Sequence, residues 1–184
     1  MIIYIHGFGS SGYGGKATLF KKFFKNDIIT PSLSYVPTLA IDTLEQLIKA
    51  FQSKGEEVKL IGSSLGGYYS IYLANKYNLK AVLINPAIFP YKILDKIGMA
   101  KNYFDETSFE ITSKHMQQLK QIDVNSIKNE KNFLTLLQTG DEVLDYKQAI
   151  KKLPNSHLEV YEGGNHSFYK IENYFLKIDS FFNK

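Results

Sequence analysis

Three short stretches hold residues that could do chemistry together: GSSLG at residues 62–66, TGDEVLD at 139–145 and GGNHSF at 163–168. Ser64 is the serine of a G-x-S-x-G pattern, placed after Val58-Lys59-Leu60-Ile61 and before a helical pattern. On a sharp strand-to-helix turn a serine hydroxyl stands clear of the chain, and Gly62 and Gly66 leave room for close crossing. Such a serine needs a base to take its proton. His166 is the candidate base, and Asp141 the carboxylate that would fix its tautomer. All three are expected just past the carboxyl ends of strands, where open α/β sheets gather their sites. Taken singly, Ser64 could cap a helix, Asp141 could form a turn and His166 could be a packed histidine. Their order and shared context argue for nucleophilic acyl transfer. Asp145 competes with Asp141 but reads as the cap of a helix starting at Tyr146. Asp141 comes directly off the strand-ending Gly140 and is preferred.

The opening MIIYIHGFGSSGYGGK raises a different question. Gly7, Gly9 and Gly12 have the spacing of a dinucleotide-binding loop, which also needs an acid at the far end of the second strand. Asp27 instead precedes that strand, Ile28-Ile29, and Thr30-Pro31 follow it. An ATP-binding loop would require glycine at Ser10 and Ser or Thr at Ala17. Neither reading uses His6. A loop that brings backbone N–H groups close to a reacting oxygen uses His6, Gly7 and Gly9 better. The Phe8 and Leu65 N–H groups are then the expected oxyanion donors. Lys16 reads as a solvated residue of the first helical turn that could meet an anionic substrate.

Positioning these residues requires alternating short strands and helices. Strands are expected at Ile2–Ile5, Ile28-Ile29, Val58–Ile61, Ala81–Ile84, Phe133–Leu137 and Leu158–Tyr161. Helical spacing marks residues 16–25, 41–51 with Asp42 and Glu45 near its positive end, 64–76, and a terminal helix capped by Ser167. The pattern predicts a mostly parallel sheet of about six strands covered on both faces. Residues 89–130 lose the rhythm, and an inserted cap over the site is expected there within one domain spanning 1–184. Tyr13, Tyr68 and Phe89 are candidate substrate contacts near the entrance.

Composition narrows the function. The formal charge is only +4, and lysines are dispersed, so no nucleic-acid face is expected. There is no cysteine, which excludes disulfides and thiolate chemistry. With four scattered histidines, no metal site and no cofactor are expected. His157 reads as solvated and His115 as a residue of the cap. The apolar run before His6 is too short for a signal peptide or a membrane span, so a cytoplasmic protein is expected.

The motifs HGFGSS, GSSLGGYYS, NPA, LLQTGDEVLDY and EGGNHSF together resemble those of the YqiA-type esterases, a bacterial branch of the α/β-hydrolases. The resemblance runs from His6 to the final helix. It implies a three-layer α/β-hydrolase fold opening at the strand before the HG loop. It also implies Ser64 as nucleophile, Asp141 as acid, His166 as base and His6-Gly7-Phe8 as the oxyanion loop. The activity implied is hydrolysis of acyl esters. Acyl-CoA thioester hydrolysis, a non-catalytic binding protein and a nucleotide-binding protein are the alternatives. Gly12-Tyr13-Gly14-Gly15-Lys16 is richer in glycine than the family pattern, which bears on the pocket rim.

Overall fold

The computed structural model describes residues 1–96 and 98–183. Ile97, within the expected cap, and Lys184, at the end of the expected domain, lie outside the described residues. The main sheet contains β1 (Ile2–Ile5), β2 (Ile28–Ile29), β3 (Lys59–Ser63), β4 (Lys80–Ile84), β7 (Phe133–Gln138) and β8 (His157–Tyr161). Its strand order is β2-β1-β3-β4-β7-β8, and every pairing is parallel.

Alternation along the strands divides the core. Ile3, Ile5, Leu60 and Leu83 face α2 (Pro37–Gln52), α3 (Leu65–Tyr77) and α6 (Tyr146–Lys152). Ile2, Tyr4, Ile61 and Val82 face α1 (Gly15–Phe24) and α7 (Phe175–Phe182). Side chains of a strand point to opposite faces in turn, so central strands buried on both sides read as continuous apolar runs. The chain leaves β1 towards β2 on one side and reaches β3 on the other. That reversal opens a crevice above the carboxyl ends of β1 and β3.

Between β4 and β7 the chain forms α4 (Pro90–Ile93), an antiparallel hairpin of β5 (Met99–Lys101) and β6 (Ser108–Glu110), and α5 (Ser113–Gln121). The hairpin has no counterpart in the sequence reading, because each strand has three residues and no β-branched side chain. His115 closes a capping box with Thr112 at the start of α5. His157 is exposed and meets the edge of Phe181.

Two expectations need correction. Helix α2 begins at Pro37, whose missing N–H is harmless at a first helical position. Asp42 and Glu45 therefore lie beyond the first turn. Asp42 accepts from Gln46, and Glu45 pairs with Lys76. Nor does Ser167 start a helix. Phe168 and Lys170 take positive φ values of 63° and 57°, a short 3₁₀ turn covers Ile171–Tyr174, and α7 starts at Phe175. The chain turns tightly here, sending Phe168 into the core beneath the loop that carries His166.

Candidate active site

Ser64 lies between the end of β3 and the start of α3, at φ 55° and ψ −119°. A non-glycine residue in that region is strained, and the surrounding packing must hold it there. The Ser64 N–H donates to Ile84 O at 3.1 Å, and its carbonyl accepts from Gly67 and Ala87. Crossing is tight: a Cβ on Gly66 would run into the Ile5 carbonyl, and one on Gly62 into Gly66. That steric requirement explains the glycines of the motif.

His166 Nε2 lies 2.9 Å from Ser64 Oγ. On the other side of the ring, Nδ1 lies 2.9 and 3.0 Å from the two oxygens of Asp141. The consistent assignment has Nδ1–H donating to the carboxylate and Nε2 accepting from the serine hydroxyl. Asp141 also accepts from the N–H groups of Val143 at 2.9 Å and Leu144 at 2.8 Å. Burial opposes its ionisation, but the bonds from His166, Leu144 and Val143 outweigh it and hold the carboxyl below its usual range. The Asp141 side chain is only 2 % exposed, against 22 % for His166. Asp145 instead caps α6, accepting from the Lys147 N–H.

The loop of His166 is braced from two strands. Gln138, the last residue of β7, accepts from the Asn165 and Tyr169 N–H groups and donates to the Tyr169 carbonyl. Asn85, after β4, donates to the Asn165 carbonyl and accepts from the Gln138 N–H. The Glu142 carboxylate accepts from the His166 N–H at 2.9 Å. These braces were not singled out in the sequence. The N-P pair after β4 and the acid next to Asp141 were the signals available.

The opening loop meets Ser64 from the β1 side. A Cβ on Gly7 would stand 3.2 Å from Ser64 Cβ. Among the described residues, neither the Phe8 nor the Leu65 N–H donates to a backbone acceptor. Both remain free for an oxyanion, as the first N–H groups of a helix generally are. His6 is buried, and its Nε2 accepts from the Leu33 N–H at 2.9 Å while Nδ1 faces Gly7 O at 2.8 Å. Burial lowers its pKa, against the bond to Gly7, so His6 is a neutral pin between loops. The spacing that resembled a dinucleotide loop has another cause. Gly12 is pressed against Thr30, where a Cβ would collide with the carbonyl, and its N–H donates to Ser32 Oγ.

None of the three aromatic candidates lines the cavities that meet at Ser64. Tyr68 is buried, and its hydroxyl donates to the Leu119 carbonyl at 2.7 Å. At that point on α3 the side chain leans under α5. Phe89 lines a separate depression with Lys92, Gln148 and Lys152. Tyr13 is exposed and stacks on Phe104, in the turn joining β5 and β6, with centroids 5.3 Å apart. The apolar wall near Ser64 comes instead from Leu65, Pro90, Ile93, Leu94, Met99 and Tyr103, around a cavity of about 470 Å³. Tyr103 donates its N–H to Gly9 O at 2.7 Å, and Phe109 packs edge-on to Phe8. Both contacts set the hairpin on the opening loop.

Among the described residues, no group of three or more His, Cys, Asp or Glu could hold a metal ion. No described helix is long and apolar enough to cross a membrane.

A six-stranded parallel sheet between helical layers, with its crevice above β1 and β3, defines an α/β-hydrolase fold. The solved structures agree. Mouse alpha/beta hydrolase domain-containing protein 10 superposes with a TM-score of 0.75 at 18 % identity, covering 99 % of this chain and 89 % of its own. The monoacylglycerol lipase of Paleococcus ferrophilus gives 0.68 at 14 % identity, covering 99 % and 93 %. At sequence level, residues 1–183 match the UPF0227 model, described as an uncharacterised protein family, and the chain belongs to that family. A UPF0227 protein of Citrobacter koseri is 28 % identical over 187 residues, covering 98 % of both chains.

Proposed function

We propose that the protein is a serine hydrolase that cleaves carboxylic esters through an acyl-enzyme. One observation carries this reading: Ser64, His166 and Asp141 form a continuous hydrogen-bonded relay beside two unoccupied N–H donors. His166 Nε2 takes the hydroxyl proton as Ser64 Oγ attacks the carbonyl carbon, and Asp141 stabilises the imidazolium that results. The Leu65 and Phe8 N–H groups receive the oxyanion. His166 then returns the proton to the leaving alcohol, and water releases the acid by the same steps in reverse. The apolar cavity beside Ser64 suits an aliphatic or aromatic group of small to medium size.

Acyl thioesters undergo the same chemistry and are a close variant of this reading. The motif resemblance to the YqiA-type esterases supports it independently of the geometry. Hydrolysis of p-nitrophenyl esters of increasing chain length is the test. Wild type is expected to turn them over and Ser64→Ala to lose roughly 10⁴-fold or more in kcat. A folded wild type inactive on every chain length, or a Ser64→Ala variant as active as wild type, would overturn the assignment.

A further inference from the structure

Two cavities meet at Ser64 and His166, and their chemistry differs. The apolar one lies under the hairpin and α4. The other, about 380 Å³, lies between the opening loop and the His166-Ser167 turn. Its wall includes Ser10, Ser11, Ser63 and Lys16.

Lys16 is half-buried in this second wall and donates from Nζ to the Ser167 carbonyl at 2.9 Å. An ammonium has three donors, so one such bond does not satisfy it. Among the described residues, no carboxylate lies within ion-pairing distance of Nζ. The nearby Asp141 is already bound to His166. Burial pushes the Lys16 ammonium down to about 8, with the charge of Asp141 pulling the other way. Helix α1 starts at Gly15, and its first N–H groups give this wall further positive character. A half-buried cation without its own counter-ion beside a nucleophile gains most from an anion that arrives with the substrate.

We propose that Lys16 makes the second cavity a subsite for a carboxylate on one arm of the ester, whose other arm fills the apolar cavity. A single ammonium balances one negative charge, and the neighbouring Asp141 disfavours a dianion such as a phosphate monoester. The proposal rests on Ser64 being the nucleophile, and it deepens that reading by naming the substrate class.

The test compares kcat/KM on matched esters with and without a carboxylate. O-Butyryl glycolate and its methyl ester place the charge on the alcohol arm, and monomethyl and dimethyl succinate place it on the acyl arm. In one pair the wild type is expected to prefer the charged member. Lys16→Met should lower the charged-to-neutral ratio about tenfold, the loss of one charge-assisted bond, and Lys16→Arg should keep most of it. No preference in either pair, or a ratio unchanged in Lys16→Met, would overturn the subsite. An equal loss on both members would also overturn it, leaving Lys16 as an anchor of the Ser167 turn. If no ester is cleaved, the esterase reading fails. Calorimetry of Ser64→Ala with O-butyryl glycolate then decides the subsite: binding weakened by Lys16→Met supports it, and binding unaffected by that change overturns it.

Discussion

The turns after β3, β7 and β8 and the segment between Phe89 and Glu130 both wall the same cleft, but they are held differently. The turns are fixed by directed polar contacts. Asp141 accepts three partners, Gln138 and Asn85 brace the His166 loop, and Ser64 sits in a strained conformation held by β4. Within the inserted segment the hairpin rests on packing, with Phe109 between Phe8 and Tyr35 and one main-chain bond from Tyr103 to Gly9. The polar ties of the segment, such as Tyr68 to the Leu119 carbonyl and Lys152 to Asp123, fall in and after α5. The hairpin leaves Met99, Tyr103 and Phe104 exposed. The proposed chemistry falls in the region that tolerates no displacement, and the proposed substrate selection on the hairpin, which packing mostly positions.

Substitutions in the two regions should have different consequences. The largest effect is expected at the turns: Asp141→Asn should cut kcat by about 10⁴-fold, because the wrong histidine tautomer is favoured while the fold survives. Steady-state rates beside a circular-dichroism melt would show it. Asp145→Ala, four residues away, should leave kcat within about twofold and cost only about 1 kcal/mol, the loss of a helix cap. Equal effects at the two positions would assign the acid wrongly. In the inserted segment, Leu94→Ala should lower kcat/KM for longer acyl esters by about tenfold and leave acetyl esters nearly unchanged. A uniform loss across chain lengths would mean that this segment also holds the machinery. Tyr103→Ala, which removes a mostly exposed ring but keeps the bond to Gly9, should change kcat/KM by only about two- to threefold.

The smallest effect is a titration. Raising pH through about 8 removes the charge of Lys16, so the preference for a carboxylate ester should fade above that value and persist below it. Tyr4, Tyr103, Asp141 and His166 are the other titratable groups facing Lys16. Because both members of a substrate pair share their effect on the chemical step, the ratio isolates the lysine. A ratio constant across that range would remove Lys16 from recognition.

The same contrast explains what could be read from the chain. Ser64, Asp141 and His166 were legible because a strand ending in a glycine-rich turn restricts both residue type and position. The sheet was legible from runs such as Ile2–Ile5 and Ala81–Ile84, whose burial on both faces leaves no polar positions. Tyr13, Tyr68 and Phe89 were misplaced because the lining of the cavities at Ser64 depends on side-chain direction and on the inserted segment above. Residues 99–101 and 108–110 have too few apolar positions to show a period, so their pairing is set by tertiary contact. Lys16 was legible as a first-turn residue that could meet an anionic substrate, but it reads as solvated and is instead half-buried in the cleft wall. Its place depends on the Ser167 carbonyl, 151 residues away in sequence.

Covalent capture by a small fluorophosphonate, mapped by mass spectrometry, tests the relay most directly. One adduct on Ser64 is expected in wild type, with labelling slowed by orders of magnitude in His166→Ala. An adduct on another residue, or labelling of Ser64 at the wild-type rate without His166, would contradict the account.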